Sequence, residues 1–471
     1  MIQFAQTVLI QLLAMCEQPV YDVIVVGGGP IGLSAAYQCA VKRGKKVLVI
    51  EQFTFHNDYA SSPGFSRQWR TCYAERQLCG LAVQTSPLWD QLMRELKNDT
   101  LLSRTGTLWF GDSTVHNSEG NILAAKENLD YFYKNYELLE SKDKISKAFP
   151  WIGGAINDVE NPIALFVDDG GTVNVPEVFR SFNDALATCP NSDLREREVV
   201  KSIDYSSSQV IKVSTDKTLY RCEKVILAPG TYVNEVLPTL TPDFPYFINY
   251  TIYLWSSTYF QVKDPLTASE TEKWPIWYFF GQQVATSDGD PVDYNAYYGF
   301  PSDVRDQPGH ARVCPAFTSD TQFDFPTNPP PEDQRPLDNN ALQFTSNFVE
   351  RSMPGLDYRL IDDKHSTCIA GFAERRDGDT DDGAGFVLDF VPNTGDRIVL
   401  ATGGWCMKFV PIMGVMLADM AVDGQTNLVY RDYIQPMNIE RTLEPGRAQV
   451  LKRPIKLTSA QRAAKFNRMW S

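Results

Sequence analysis

The feature that most constrains the fold is a glycine-rich turn between a buried strand and a helix. Residues 21–26 (YDVIVV) form an apolar, β-branched run that stops at glycine, as a buried parallel strand does. Residues 30–41 have helical spacing, and residues 46–50 (KVLVI) form a second apolar run that ends at Glu51. Together they predict a strand–helix–strand unit of about thirty residues, the size of a Rossmann half.

The glycines of the turn follow the GxGxxG pattern at Gly27, Gly29 and Gly32. Gly27 permits the tight turn, Gly29 lets the backbone approach a pyrophosphate, and Gly32 lets helix and strand pack closely. The helix N-terminus offers free N–H groups and a positive dipole end to phosphates. Glu51 can accept hydrogen bonds from ribose hydroxyls, and its charge repels a 2′-phosphate. This segment therefore predicts a dinucleotide site.

The same type of pattern returns twice further along the chain. Residues 175–187 predict a helix, and residues 224–228 (KVILA) predict a buried strand that Pro229 and Gly230 end. Residues 397–401 (RIVLA) predict a third strand, followed by an apolar helix over residues 412–421. A fingerprint near the N-terminus with two later returns to the sheet favours FAD over NAD, in an arrangement like that of glutathione reductase.

The expected fold class is α/β, or α+β overall, with two interleaved domains. One is a Rossmann-type FAD-binding domain, and the other is a substrate domain built on a mostly antiparallel β-sheet. Aromatic residues between 246 and 300 fit an aromatic-walled pocket, although an ordinary sheet core explains them as well. The expected boundaries are an N-terminal helix at 1–20, FAD-binding segments at 21–95, 165–235 and 360–435, substrate-domain segments at 96–164 and 236–359, and a C-terminal extension at 436–471.

Composition narrows the partners and the location. A formal net charge of −14 disfavours nucleic acid as a partner. Nine cysteines without a CxxC pair, beside only four histidines, predict free thiols and no metal site. We expect a cytoplasmic protein that is a monomer or a homodimer. We expect no membrane span, because the apolar segment 1–16 is too short to cross a bilayer. That segment leaves export open.

Several further segments resemble one family of flavoenzymes. The matching motifs are SPGFSRQWRTCYAE at 62–75, RTGTL at 104–108, DGGTVNVPEV at 169–178, APGTY at 228–232 and YYGFPS at 297–302. On these residues the chain resembles the monomeric sarcosine oxidase, pipecolate oxidase and fructosyl-amino-acid oxidase family, within the D-amino-acid-oxidase-like superfamily. The resemblance runs in segments over most of residues 20–430.

The resemblance implies roles for two arginines, a lysine and a tyrosine. Arg67 would lie over the flavin ring, and Arg70 would grip the substrate carboxylate together with Lys408 of the KFVPIMG segment. Tyr298, the second tyrosine of YYGFPS, would touch the substrate. A guanidinium fork matches a carboxylate bidentately, so the residue chemistry agrees. The alternative is that both arginines lie on the surface of a helix.

Three positions depart from the family pattern. The family's oxygen-reactive lysine and the histidine after it align with Arg312 and Ala316, while His310 is out of register. Arg312 keeps the positive charge that charge development on oxygen needs. In the shortened glycine-rich turn, Trp405 and Cys406 replace a small polar residue and a histidine. Trp405 is expected either to wall the substrate cage or to pack against the flavin.

The flavin itself is expected to be covalently attached. Cys368, in HSTC shortly before LDFVP, stands where the family has its flavin-linked cysteine, so the resemblance implies an 8α-S-cysteinyl FAD. Cys406 is a second candidate for the link. The full set of expected FAD contacts is Gly27, Gly29, Pro30, Gly32, Glu51, Gln52, Arg67, Val199, Gly230, Cys368, Gly404 and Lys408.

These residues imply FAD-dependent oxidation of the Cα–N bond of an amino acid, with dioxygen reduced to hydrogen peroxide. No general base stands at the matched positions, which suits hydride transfer from a neutral amine to the flavin. The substrate can be a primary L-amino acid or an N-substituted one, and a side chain bulkier than that of sarcosine is favoured. An FAD-dependent dehydrogenase with another acceptor, a flavin monooxygenase and a non-enzymatic flavoprotein stay open as alternatives.

Overall fold

The computed structural model describes residues 19–117, 119–242, 244–263, 266–282, 284–285, 291–292, 295–316, 329, 331–373, 385–426 and 437–446. The strands in this part of the chain are β1 (Val20–Val26), β2 (Val47–Ile50), β3 (Ser66–Arg70), β4 (Leu102–Arg104), β5 (Thr107–Asp112), β6 (Glu137–Leu139), β7 (Pro162–Val167), β8 (Gly170–Asn174), β9 (Ser192–Arg195), β10 (Val200–Asp204), β11 (Ile211–Thr215), β12 (Leu219–Leu227), β13 (Leu240–Thr241), β14 (Tyr246–Ile248), β15 (Tyr250–Gln261), β16 (Ile276–Phe280), β17 (Val284–Ala285), β18 (Pro291–Val292), β19 (Ala296–Gly299), β20 (His310–Pro315), β21 (His365–Ala373), β22 (Phe386–Phe390), β23 (Ile398–Gly403) and β24 (Leu443–Pro445). The helices are α1 (Pro30–Tyr37), α2 (Arg76–Leu96), α3 (Ile122–Tyr131), α4 (Lys142–Ala148), α5 (Gly153–Asn157), α6 (Val175–Ala187), α7 (Val233–Val236), α8 (Ala268–Thr271), α9 (Asn339–Ser352) and α10 (Val410–Asp423).

A largely parallel sheet forms around the glycine-rich fingerprint. Its parallel part has the strand order β9-β2-β1-β12-β23. Val25 of β1 pairs with Val49 of β2 on one side and with Ile226 of β12 on the other. All three side chains are fully buried, as expected for strands covered on both faces. The predicted later strands at 224–228 and 397–401 correspond to β12 and β23, so the two returns to this sheet are confirmed.

Helix α10 packs against α1, the helix that follows the fingerprint. The hydroxyl of Ser34 donates to the carbonyl of Val410 at 2.9 Å. A Cβ atom at Gly414 would lie 2.1 Å from Oγ of Ser34, so only glycine permits this close approach. The helix predicted at 412–421 therefore belongs to the same domain as the fingerprint, which confirms a Rossmann-type arrangement.

The second large sheet is mostly antiparallel and has eight strands. Their order is β21-β15-β20-β19-β16-β5-β7-β6, and only the β16–β5 pair is parallel. Aromatic side chains fill one side of it. The ring centroid of Phe348, on helix α9, lies 5.3 Å from that of Phe279 and 6.2 Å from that of Trp277. The expected antiparallel sheet, assembled from separate chain segments, is confirmed.

One strand lies on the other side of an expected domain boundary. β21 belongs to the segment 360–435, which we expected in the FAD-binding domain, yet it pairs with β15 along nine residues of the antiparallel sheet. The sequence pattern of HSTCIAGFA indicates a strand but contains no information on its partner. The boundaries of the other segments stay a prediction.

The chain ends contribute little to the described structure. Residues 1–18 and 447–471 lie outside the described residues, and with them most of the expected N-terminal helix and C-terminal extension. Within 437–446, β24 pairs antiparallel with β14. Among the residues that the structure describes, no helix is long and apolar enough to cross a membrane.

Candidate active site

A cleft of about 2360 Å³, partly open to solvent, runs from the carboxyl ends of β1, β2 and β12 to the antiparallel sheet. Carboxyl ends of parallel strands are where ligands bind in open α/β sheets. Almost all predicted site residues line this one cleft. They are Gly27, Gly29, Pro30, Glu51, Gln52, Arg67, Arg70, Val199, Gly230, Tyr298, Arg312, Cys368, Gly404, Trp405 and Lys408. Gly32 does not line the cleft; it allows helix α1 to pack closely against the turn at Gly27.

The fingerprint turn has the geometry that a dinucleotide requires. Gly27 has a φ of +109°, and a Cβ there would lie 2.3 Å from the carbonyl oxygen of Ala228. A Cβ at Gly32 would lie 2.0 Å from the carbonyl oxygen of Gly27. Gly29 is different, because a Cβ there would meet no protein atom within 4 Å. The space in front of the α1 N-terminus is therefore open, and a pyrophosphate fits there.

Glu51 is held in place by the backbone of the turn. Its two carboxylate oxygens accept hydrogen bonds from the amides of Gly28 at 2.7 Å and Phe53 at 2.9 Å. Burial raises the pKa of Glu51, and these amide contacts oppose the rise. The carboxylate lies in the wall of the cleft with each oxygen retaining acceptor capacity, so this end of the cleft fits a ribose.

Arg67 and Arg70 lie on a buried strand. β3 pairs antiparallel with β8, with Arg67 opposite Val173 and Arg70 opposite Gly170. Arg70 is only 2% exposed. The alternative that both arginines lie on the surface of a helix is therefore wrong. Three residues apart on a strand, they point to opposite sides, which separates their surroundings.

Arg70 and Lys408 meet at one aromatic ring. Cζ of Arg70 lies 4.5 Å from the ring centroid of Tyr73, and Nζ of Lys408 lies 5.5 Å from the same centroid. Arg70 also forms an ion pair with Glu119. Burial, reinforced by the neighbouring charge of Arg70, lowers the pKa of Lys408 to about 7. The indole N–H of Trp89 donates to the Lys408 carbonyl at 3.0 Å and fixes the turn that carries this lysine.

Two thiols were candidates for flavin attachment, and their surroundings differ. Cys368 is half-buried and lies beside the guanidinium of Arg67. Cys406 contacts the carbonyl oxygen of Gly403, and burial raises the pKa of its thiol to about 12. A thiol held in its protonated form is a poor nucleophile, so the surroundings of Cys406 are the less reactive of the two.

Arg312 occupies a different wall of the cleft from Arg70. Its Nε donates to Oγ of Ser257 at 3.1 Å, and its Nη1 lies 3.3 Å from Oγ of Ser66. The guanidinium also stacks over Phe300, with Cζ 4.9 Å from the ring centroid. Burial raises the pKa of the neighbouring Tyr298 well above its usual value. His310, expected to be out of register, does not line the cleft.

Trp405 forms part of an aromatic wall. Its ring centroid lies 5.8 Å from that of Trp255 and 5.3 Å from that of Phe372. The preceding Gly404 has a φ of +67°, and a Cβ there would lie 2.5 Å from the ring of Phe386. The indole nitrogen of Trp405 is buried and has no hydrogen-bond partner among the described residues. It can therefore donate to a molecule in the cleft.

Several residues at this site were not predicted from the sequence. Glu119 is the most important of them. Among the described residues it is the only carboxylate that forms an ion pair with Arg70. Its own amide donates to the side chain of Asn117 at 2.9 Å, an Asx turn that shapes the loop. Ser66 and Tyr73 were also missed as partners of Arg312 and Arg70. The turn residues around Glu119 indicate a loop but give no sign that it reaches the cleft.

The sequence profile of the FAD dependent oxidoreductase family (DAO) matches residues 22–420. The chain belongs to this family, which confirms the expected resemblance and the expected use of FAD. The open fingerprint turn and the long cleft fit that cofactor.

Individual relatives share less than a third of their residues with this chain. A protein of Dictyostelium discoideum, provisionally named a bifunctional amine oxidase, is 29% identical to this chain. The match covers 86% of this chain but only 36% of the length of that protein. Monomeric sarcosine oxidase of Bacillus sp. (strain B-0618) is 27% identical, with 86% of this chain and 93% of the relative covered. The solved structure of NikD, described as an unusual amino acid oxidase essential for nikkomycin biosynthesis, has a TM-score of 0.70 at 27% identity, with 92% of this chain and 100% of that chain covered.

Proposed function

We propose that this chain oxidises the Cα–N bond of an amino acid, with FAD as its cofactor and dioxygen as the electron acceptor. One observation carries the proposal: Arg70 and Lys408 converge on the ring of Tyr73 inside the cleft. Two basic side chains at one ring, in a site of low dielectric, attract a carboxylate. The names of two relatives, monomeric sarcosine oxidase and amino acid oxidase, support a carboxylate-bearing amine as the substrate.

Binding and orientation are the chain's own part in the reaction. Arg70 grips the substrate carboxylate through its fork, Lys408 adds a second charge, and Glu119 orients the guanidinium. Bound FAD would supply the redox chemistry, which is two-electron oxidation of the substrate and reduction of dioxygen. A carboxylate fixed at one end leaves the α-carbon little freedom, and such positioning removes a large entropic barrier.

The lining of the cleft determines which side chains and which amine form can bind. Trp405, Trp255 and Tyr298 line the same cleft as Arg70 and Lys408. The buried positive charges of Arg70 and Arg312 disfavour an ammonium group in the same cleft, so the amine is expected to react in its neutral form. The aromatic rings provide contact area for a side chain larger than that of glycine or sarcosine. Primary and N-substituted amino acids both fit this description.

We also propose that FAD is covalently linked through Cys368. The thiol of Cys368 is half-buried, lines the cleft and lies 3.4 Å from the guanidinium nitrogen of Arg67, the residue expected over the flavin ring. Cys406, in contrast, has a thiol pKa raised to about 12 by burial. Arg312 is the residue we propose for the reaction with dioxygen, because its buried positive charge stabilises negative charge that develops on oxygen.

The proposal includes no nucleic-acid partner and no membrane span. We also propose a cytoplasmic location, which free thiols favour, and a monomeric or homodimeric state. Fractionation and sedimentation of the full chain would test these two points.

Anaerobic mixing of the holoenzyme with L-amino acids and N-methylated amino acids tests the function. We expect the flavin absorbance near 450 nm to bleach with at least one of them, and air to restore it with release of hydrogen peroxide. Arg70→Met should abolish bleaching, whereas Arg180→Met, at an exposed arginine outside the cleft, should not. Bleaching by NADPH alone would indicate a monooxygenase, and reoxidation by quinones but not by air would indicate a dehydrogenase. Either result would overturn the oxidase proposal.

A further inference from the structure

A second cavity lies behind Arg312. It contains about 740 Å³ of space and is lined by β3, β8, β15, the residues around Thr105 and the loop from 300 to 310. Three residues, Ser66, Phe300 and Arg312, line both this cavity and the main cleft. The two spaces therefore adjoin each other at these three residues.

The second cavity leads from the surface to the buried arginine. At its outer end Glu272 and Arg305 are exposed, and Val304 is 64% exposed. At its inner end Arg312 is 6% exposed and Ser66 is 4% exposed. Exposure thus falls along the cavity from solvent to the wall of the cleft, as it does in a passage.

The lining combines polar and apolar surface, and part of its polar surface lacks partners within the protein. The hydroxyls of Thr105 and Thr172 are buried in this lining and have no hydrogen-bond partner among the described residues. Deeper in the lining, Tyr259 donates to the carboxylate of Asp306 at 2.8 Å. Buried hydroxyls without a protein partner are normally satisfied by ordered water, provided the cavity is polar and large enough. This cavity is large enough for water, and Tyr259 and Asp306 are among the polar groups that line it.

We propose that this second cavity is a water-filled passage that supplies solvent protons at Arg312 and lets hydrogen peroxide leave. The inference rests on the proposed oxidase function. Reduced anionic FAD, dioxygen and one proton give oxidised FAD and hydrogen peroxide, so each turnover needs a proton and releases a small polar product. Water and peroxide both match hydroxyl-lined walls. The main cleft then serves the amino acid, and the passage serves the reaction with oxygen.

The first test measures access and does not depend on catalysis. Thr105→Cys and Thr345→Cys holoenzymes are treated with a small methanethiosulfonate reagent, and labelled peptides are found by mass spectrometry. Thr345, in α9, is fully buried and lines neither cavity, so it is the matched control. We expect Cys at 105 to be labelled at least tenfold faster than Cys at 345. Equal, slow labelling in two folded variants would show a closed void and overturn the passage.

The second test blocks the passage. Thr105→Trp fills it, whereas Thr105→Val removes only the hydroxyl and keeps the volume. We expect Thr105→Trp to slow air reoxidation of the reduced flavin at least tenfold, with anaerobic bleaching by the amino acid unchanged and Thr105→Val close to wild type. Unchanged reoxidation in Thr105→Trp would overturn the inference. If no amino acid bleaches the wild-type flavin, the proposed function is wrong, but the passage can still be tested. The reoxidation rate is then measured on enzyme reduced with dithionite, and cysteine labelling still measures access to the cavity.

Discussion

Nη2 of Arg67 lies 3.4 Å from Sγ of Cys368. The same nitrogen donates to the carbonyl oxygens of Ser61 at 2.9 Å and Pro63 at 2.6 Å, so the loop before β3 fixes the guanidinium. β3 and β21 belong to different sheets, and these two side chains meet in the wall of the cleft. The thiol of Cys368 is therefore held beside the residue that is expected to lie over the flavin ring.

Replacement of Cys368 by serine is expected to release the flavin. After acid precipitation, the wild-type pellet should stay yellow, whereas the flavin of Cys368→Ser should appear in the supernatant. The reason is that serine keeps the size of the side chain but lacks the thiolate that forms the link. Absorbance of pellet and supernatant measures the result. Cys406→Ser is the control and should keep its flavin in the pellet; release from this variant alone would assign the link to Cys406.

Alanine at Gly27 and at Gly29 should have different effects. At Gly27 the new Cβ meets the carbonyl of Ala228 at 2.3 Å on a backbone with φ of +109°, so the apoprotein should lose about 3 kcal/mol of unfolding free energy. At Gly29 the Cβ meets no protein atom, so the apoprotein should keep its melting temperature. Because the same Cβ projects into the proposed pyrophosphate space, Gly29→Ala should still bind FAD at least tenfold more weakly.

Thermal melts of the apoproteins and flavin titrations measure these two quantities separately. A Gly29→Ala apoprotein as unstable as Gly27→Ala would contradict the open space at the helix N-terminus. Unchanged FAD affinity in Gly29→Ala would contradict the position of the pyrophosphate. The Cys368→Ser background keeps the titration reversible in both variants.

The nucleotide-binding half of the fold could be predicted because its signals are local. Gly27, Gly29, Gly32 and Glu51 lie within one strand–helix–strand unit, and their spacing within it is visible in the sequence. Gly32 and Glu51 are also held by contacts inside the unit, with Gly27 and Gly28. The buried strands β12 and β23 could be recognised for the same reason, because strands covered on both faces are apolar throughout.

The pairings across the cleft could not be predicted in this way. Arg70 and Glu119 are 49 positions apart, and Glu119 lies in a polar loop that resembles any surface loop. The partner of β21 also depends on long-range assembly, since its residues fit either sheet. For Arg67 and Arg70, a spacing of three residues was compatible with a helix face, and only the strand conformation of β3 separates their directions.

Affinity for a carboxylate should depend on pH through Lys408. Burial and the charge of Arg70 lower the pKa of this lysine to about 7. A carboxylate ligand prefers the protonated lysine, so its affinity should be highest below pH 7. Above pH 7 the lysine must take up a proton on binding, and affinity should fall by up to about tenfold per pH unit.

Benzoate is a suitable probe because it carries no amine that titrates in the same range. Its dissociation constant, read from the change in flavin absorbance between pH 6 and 9, should rise with pH in the wild type. Lys408→Met should bind more weakly at pH 6 and lose the pH dependence. A dependence that persists in Lys408→Met would show that another group is responsible.

Glu119 should set the midpoint of that pH dependence. Its negative charge raises the pKa of Lys408, opposing burial and Arg70. Glu119→Gln removes this charge and nearly keeps the side-chain shape, so the pKa of Lys408 should fall further. Benzoate binding should then begin to weaken at a lower pH than in the wild type. Glu127→Gln, at an exposed glutamate on α3, is the charge-matched control and should keep the wild-type midpoint. If the midpoint were higher in Glu119→Gln than in the wild type, the charge of Glu119 would not be raising the pKa of Lys408, and this prediction would be wrong.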